Sequence, residues 1–533
     1  MNALSIVILS VCGIYMILNF KHDIHMLQQN SYRPERYWRW LRGSGDMSST
    51  WRLIDVAMIL LLLATNLLPF QVASFVIALV CVTKGYLILN RKFKKALVFT
   101  KRVWRLYTLT SVLAVGAVLP VAIATAGKTY DNYAGFQIAL FIILGIAVIS
   151  WVVIFIALFL LMPVENHINS KYRKDAERIL ASKPDLKVVG ITGSYGKTST
   201  KHYLHRILSE QYETLMTPGS YNTPMGVIRT VREMMKPYTE VFICEMGAKQ
   251  KGDIKEICDM VHPSAGIITA VGPMHLETFK TIENVQATKF ELADAIPSDG
   301  FVVVNNDFEY CANRKVKNTA CIRYASSNPD NADYKTTDIR YDADGTTFVV
   351  TDPLGKTMEF RTQLVGECNV SNLLAAIIVS LNLGVPEEKI RYAVGQIAQV
   401  EHRLSIARTP GGITIIDDAF NSNPSGAKMA VDVLSQFKDG KRIIVTPGMI
   451  ELGERQFDLN QALGRYIGAN VDIAIIVGEY NRDALLSGLE ESGINKADIH
   501  IVDSFNEAQQ KLSALLQKGD TVLYENDLPD SFK

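Results

Sequence analysis

Along the first 160 residues apolar positions come in long unbroken runs, and beyond them they come in short runs separated by polar and glycine-rich segments. Five stretches, 3–20, 53–69, 72–89, 103–126 and 136–162, approach or exceed the roughly 20 helical residues needed to cross a hydrocarbon core. They predict five membrane spans. The first lacks the basic leader and small-residue cleavage site of a signal peptide, so it reads as a span. The segment "NLLPFQ" between the second and third reads as a tight turn. A charged stretch with apolar residues at helical spacing, 163–184, then predicts a linker helix. After it, β-branched runs alternate with helical patterns, as in a doubly wound α/β fold.

Charge fixes a direction for the spans. Only five acidic residues precede Leu160: Asp23, Glu35, Asp46, Asp55 and Asp131. The segment "NRKFKKALVFTKRVWR" carries seven basic residues and no acid, and 21–52 carries six basic against three acidic, whereas "GKTYDNYAG" has one of each. Because basic loops stay on the cytoplasmic side, five spans place both basic segments and the C-terminal region inside and the N-terminus outside. The expected location is a multi-pass protein of the cytoplasmic membrane, with the bilayer itself as a partner. The formal net charge of +1 gives no sign of a nucleic-acid partner. Seven scattered cysteines without a C-x-x-C pair read as reduced thiols, with no zinc site.

The chemistry starts at "LKVVGITGSYGKTSTKHYLHRIL", which has strand, loop and helix character in order. That is the setting of a phosphate loop, in which backbone N–H groups face the anion, Lys197 adds a mobile charge and Thr198 a metal-binding hydroxyl. Its spacing departs from G-x-x-x-x-G-K-[ST], because Gly193 and Gly196 lie three apart. Two later strands end near Glu245 and near His275 and Glu277. Acid and imidazole at strand ends beside a phosphate loop suit a magnesium cluster. Taken singly, Glu245 also reads as a helix cap and His275 as a satisfied, partly buried imidazole.

The ordered set TGSYGKTS, NTPMG, EMGA, HLETF, ATKFE, NVSNLLAA, EHR, DDAFNSNP and ELGE resembles the Mur ligase family, ATP-dependent amide-bond synthases of cell-wall precursors. EMGA and the D-D-x-[YF]-N-x-N-P pattern resemble most the branch that adds D-alanyl-D-alanine to a UDP-N-acetylmuramoyl-tripeptide. The resemblance implies a central ATP-binding α/β domain over 185–404 and a Rossmann-like C-terminal domain over 405–533, behind a membrane domain over 1–162. It implies that Gly193, Ser194, Gly196, Lys197, Thr198 and Ser199 hold the ATP phosphates, with Thr198 and Glu245 on a first Mg2+. It further implies that His275 binds a second Mg2+ with a carbamate on Lys289. A bare surface lysine is the alternative reading of that position. Asn369 and Asn372 would meet adenine, Arg403 the phosphates and Asp418 the ribose. Asn423 and Glu451 have two readings each: shaping the incoming-amine side, or capping a helix and closing a turn.

Two departures limit the transfer. Membrane spans stand where cytoplasmic Mur ligases carry a UDP-sugar-binding domain, and the chain ends "LYENDLPDSFK", acidic where the family has a Lys-Gly-Ser-Arg-like motif. The expected reaction is activation of an acceptor carboxylate as acyl phosphate, followed by attack of an amino acid or dipeptide amine. The acceptor is expected on a lipid-linked precursor or envelope polymer, and a poly-γ-glutamate-type synthase is the competing reading. A transport ATPase is disfavoured because no apolar strand ends in Asp-Glu. An inactive binding module is disfavoured because Lys197, Glu245, His275, Lys289 and Asp418 are all present.

Overall fold

The computed structural model describes residues 3–64, 69–91, 93, 96–125, 134–329, 331–342, 345–420 and 422–528. Residues 65–68, which hold the first half of the expected turn 66–71, residues 126–133 of the expected outer loop, Lys92, Lys94, Lys95, Asn421 and the acidic end 529–533 lie outside that set. The chain forms two compact units, Met1–Asn169 (with Leu528–Lys533) and Ser170–Asp527.

The first unit is helical: α1 (Ala3–Gln29), α2 (Pro34–Gly43), α3 (Thr50–Leu63), α4 (Phe70–Asn90), α5 (Lys101–Thr125), α6 (Ala134–Val148) and the start of α7 (Ser150–Ala181). Leucine and phenylalanine side chains such as Leu4, Leu60, Phe75, Leu79 and Phe159 stand exposed, an apolar surface of the kind that marks interaction with a partner or a membrane. Among the described residues four helices, within α1, α4, α5 and α7, are long and apolar enough to cross a membrane. The second expected span is shorter than its apolar run: α3 has 14 residues, about 21 Å of helix. The fifth, 136–162, is not one helix. It divides at Ile149, where the carbonyls of Ala147 and Val148 accept hydrogen bonds from Asn19 (2.9 Å) and Arg52 (3.2 Å). Side chains inserted into the helical ladder are a known cause of breaks. α7 then continues through Pro163 to Ala181, so the expected linker helix is continuous with the preceding apolar run, and the boundary between the two units falls within it, at Ser170.

Buried charges in this unit are matched. The Arg52 guanidinium meets Asp23 at 2.7 Å and Asp46 at 2.8 Å and donates to Ser150 Oγ at 3.0 Å. Lys84 meets Asp55 at 2.6 Å, and Tyr15 donates to the same carboxylate. Pairing of this kind is what makes an ionised group tolerable away from water.

The second unit contains two sheets. In the first, β1 (Lys187–Thr192), β2 (Thr214–Met216), β3 (Val241–Glu245), β4 (Ala265–Ile268), β5 (Phe301–Asn305), β6 (Ala320–Ala325), β7 (Tyr334–Asp342), β8 (Gly345–Thr351) and β9 (Thr357–Thr362) lie in the order β2-β3-β1-β4-β5-β6-β7-β8-β9. Pairings are parallel as far as β7 and antiparallel from there. The central strands are buried on both faces, which is why they read as continuous apolar runs. The order reverses on either side of β1, and ligands in such sheets gather outside the strand carboxyl ends at that reversal. The second sheet has β10 (Ser405–Arg408), β11 (Thr414–Asp418), β12 (Arg442–Thr446), β13 (Ile473–Val477), β14 (Ile499–Val502) and β15 (Thr521–Glu525) in the order β10-β11-β15-β12-β13-β14, parallel except for β10.

Candidate active site

The loop after β1 has the shape that its two glycines permit. Gly193 has φ +151°, and a Cβ there would lie 2.1 Å from Thr269 Oγ1; Gly196 has φ +76°, and a Cβ would lie 2.3 Å from Asn372 Oδ1. Only glycine fits either position. Ser194 ties the loop down: its N–H donates to Ala270 O at 2.7 Å, and its hydroxyl donates to Gly272 O at 3.1 Å. The helix Lys197–Leu208 starts directly behind, with Thr198 in its first turn and Ser199 buried.

Lys197 folds back over the loop, donating to the carbonyls of Gly193 (2.7 Å) and Ser194 (3.3 Å). Burial pushes its ammonium down to about 8 against the pull of Glu245, and a bound anion would favour the charged form further. Glu245 ends β3 beside Ile191 of β1. Both its carboxylate oxygens lie 3.2 Å from Thr198 Oγ1. Burial acts to raise its pKa, but Lys201 and Lys197 outweigh it and hold the carboxylate below its ordinary range.

Three partners of Glu245 escaped the sequence reading. Lys201, fully buried, meets it at 2.9 Å; Asn222 donates at 3.3 Å; and Thr217 Oγ1 accepts from its backbone N–H at 3.1 Å. Lys201 stands four residues after Lys197, on the same helix face, a spacing that signals it. Asn222 belongs to the NTPMG motif.

His275, in left-handed conformation (φ 53°), starts the turn Leu276–Phe279, and its Nδ1 pairs with Glu451 from the second sheet's layer. Lys249 reaches the other oxygen of Glu451 at 2.9 Å. Burial lowers the His275 pKa against the opposing effect of Glu451, while His275 and Lys249 hold Glu451 well below the carboxylate range despite its burial. Glu451 therefore does more than close its own turn. Asn423, by contrast, caps the helix Pro424–Ser435, accepting from Gly426 N at 2.8 Å.

Lys289 is not a surface lysine. It is 3% exposed on the helix Ile282–Ala295 and has no hydrogen bond or ion pair among the described residues. Burial, helped by the charge of Lys197, pushes its ammonium down to about 7. Asn369 is buried, accepting from Tyr203 at 2.7 Å and donating to Val365 O at 2.8 Å. Asn372, one turn on, stands against Gly196 and accepts from Thr200 at 3.2 Å. Arg403 stacks on Phe420 at 4.2 Å. Its pKa is lowered by burial and raised by Asp418 and Glu245, which puts its charge within reach of both. Burial pushes Asp418 up to about 6 despite Arg403, and its carboxylate accepts from Leu404 N at 3.1 Å.

A phosphate loop at the order reversal of a parallel sheet, a hydroxyl and carboxylate beside it, and a second α/β layer that reaches across through Glu451 define a nucleotide-binding phosphate-loop enzyme. The Mur ligase middle-domain family model matches residues 191–380, and the model for the Mur ligase glutamate ligase domain matches 402–524. The UDP-N-acetylmuramoyl-tripeptide--D-alanyl-D-alanine ligase of Mycobacterium bovis is 30% identical over 363 residues, covering 63% of this chain and 70% of that protein. The ligase of the same name from Bacillus subtilis is 28% identical over 343 residues, covering 64% and 72%. Among solved structures, MurF from Acinetobacter baumannii superposes with a TM-score of 0.61 at 26% identity, over 67% of this chain and 77% of that one. MurF from Thermotoga maritima in complex with ADP shares the fold, with a TM-score of 0.60 at 24% identity over 67% and 80%. The chain belongs to the Mur ligase family of ATP-dependent ligases. Neither domain model extends into residues 1–190.

Proposed function

We propose that this chain is a membrane-bound amide ligase of cell-envelope synthesis. It would transfer the γ-phosphoryl group of ATP to an acceptor carboxylate, and an amine would displace phosphate from the acyl phosphate, leaving amide, ADP and phosphate. The observation that carries the reading is the meeting of Lys197, Thr198 and Glu245 at the carboxyl ends of β1 and β3.

The backbone of Gly193 to Ser199 would cradle the phosphates, and Lys197 would leave the loop carbonyls for the transferring group. Arg403 and Asp418 would bring the second layer onto the nucleotide, and Asn372 would stand nearest the loop on the adenine side. Thr198 and Glu245 offer hard oxygen donors that fit Mg2+, and a second Mg2+ fits His275 with a carbamylated Lys289. Two Mg2+ would supply charge neutralisation on the transferring phosphoryl group. Lys289 suits carbamylation because an amine must be neutral to take up CO2, and a buried lysine titrating near 7 is largely neutral at pH 8.

The first candidate for the amine is D-alanyl-D-alanine, which the relatives' printed names give, followed by other amino acids or dipeptides. The acceptor is proposed to be lipid-linked, since apolar helices occupy the place before the phosphate loop. Five spans with the ligase domains inside the cytoplasmic membrane remain the proposed topology, with α3 as a short span. Cysteine labelling should find position 132 outside and the exposed position 496 inside; both on one side would refute it. The activity test is ADP release by the detergent-purified protein, assayed with lipid extract and each candidate amine. ADP release that needs neither addition would refute the ligase reading.

A further inference from the structure

The two basic segments on either side of α3 and α4 meet in the structure. Gln28, at the end of α1, donates to Val98 O at 2.9 Å and accepts from Val98 N at 3.0 Å. Between these segments lies a cavity of ≈ 830 Å³, wholly within the membrane unit. Its polar lining includes Lys21, His22, His25 and Arg91, and among the described residues no aspartate or glutamate lines it. Its apolar lining includes Leu87, Ile88, Leu97 and Phe99.

His22 lines the cavity with its ring only: its Nε2 meets Asp46 at 3.1 Å outside that lining, and its Nδ1 is shut off from the cavity. His22, Asp23 and Asp46 have the spacing of a metal cluster, but the Arg52 guanidinium already sits on both carboxylates, so a cation has no place there. The occupant must instead suit the positive side chains of Lys21 and Arg91 at one end and hydrocarbon at the other. A phosphate monoester offers charged oxygens to both cations.

We infer that this cavity binds the phosphate headgroup of a lipid, with Lys21 and Arg91 on the phosphate and the Leu87–Leu97–Phe99 wall on the start of the tail. Exposed Leu87 and Phe99 continue that wall outward. The inference rests on the membrane reading of this unit and stands apart from the identity of the ligase's acceptor.

The test uses full-length protein in phosphatidylcholine nanodiscs and equilibrium binding of radiolabelled farnesyl phosphate, with farnesol and inorganic phosphate as competitors. Binding should saturate at one per chain, and each competitor should be at least about tenfold weaker, the factor lost with roughly 1.4 kcal/mol of contact. The double substitution Lys21→Ala, Arg91→Ala removes side chains that are not in the core and should weaken binding at least tenfold, whereas Lys101→Ala should not change it. Farnesol competing as well as farnesyl phosphate would overturn the site, and so would undiminished binding in the double variant. Inorganic phosphate competing equally would overturn the lipid assignment by showing that the tail contributes nothing.

Discussion

Substituting Lys289 by methionine separates its chemical role from its structural cost. A lysine titrating at about 7 instead of the usual 10.5 is about 90% neutral at pH 8, against about 0.3% for an ordinary lysine, so some 300-fold more amine is free to take up CO2. The same shift burdens the fold. Between pH 7 and 10.5 the unfolded chain binds a proton that the folded chain does not, so the penalty is complete below pH 7 and fades as pH rises to 10.5. Its ceiling is about 5 kcal/mol, at 1.36 kcal/mol per unit. Methionine keeps the volume and removes the titration, so Lys289→Met should melt at a higher temperature than the parent at pH 7. The gap should narrow towards pH 10. It should nonetheless be inactive, because the proposed second Mg2+ loses its carbamate ligand. In the parent, 13C-bicarbonate should give one carbamate signal absent from the variant, and degassed, bicarbonate-free buffer should lower turnover reversibly. A Lys289→Met protein that turns over normally without bicarbonate would refute the reasoning, whatever its melting temperature.

Lys197→Ala should reduce kcat by at least about 100-fold, the loss of roughly 3 kcal/mol of preorganised electrostatic stabilisation, measured by ADP release. Glu451→Gln should weaken the link to His275 and Lys249 across the two α/β layers and lower stability by about 1–3 kcal/mol in denaturant unfolding. Glu525, buried against the hydroxyls of Ser422 and Thr446, is pushed up to about 7 by burial. From pH 4.5 to 7 the folded state alone therefore holds its proton, and stability falls with rising pH by up to about 3 kcal/mol, in full above pH 7. Glu525→Gln should raise the melting temperature at pH 8 and leave it nearly unchanged at pH 4.5.

Much of the site was legible because it lies in contiguous motifs. Gly193 and Gly196 declare a backbone shape, and Glu245 and His275 stand at the ends of apolar runs that read as strands. What escaped was long-range. Lys201 reads as an ordinary helical residue until β3 brings Glu245 against it. Glu451 reads either as an amine-side residue or as a turn residue, and its pairing with His275 appears only once the second layer is in place. Asn369 is an expected adenine contact in its motif, and the hydrogen bond it accepts from Tyr203 is a long-range pairing that the motif does not show. In the first unit, hydropathy counts apolar residues and passes over the break at Ile149, because the cause is Asn19 and Arg52 on other helices. The antiparallel extension β7–β9 was missed because its polar alternation resembles surface loops.

The proposal that the membrane unit presents the acceptor is tested most directly by comparing the full-length protein with a fragment. Because Asp175 bonds Arg232 at 2.7 Å and Ala176 is buried in the ligase core, the fragment should begin at Ser170. Both proteins are assayed for ADP and amide formation with D-alanyl-D-alanine, on lipid-linked and on soluble UDP-sugar peptide acceptors. The account predicts amide formation by the full-length protein on the lipid-linked acceptor, and a fragment that binds nucleotide but is at least about 100-fold slower on it, since the bilayer no longer orients the carboxylate. Equal rates for both proteins on the soluble acceptor, with neither using the lipid-linked one, would contradict it.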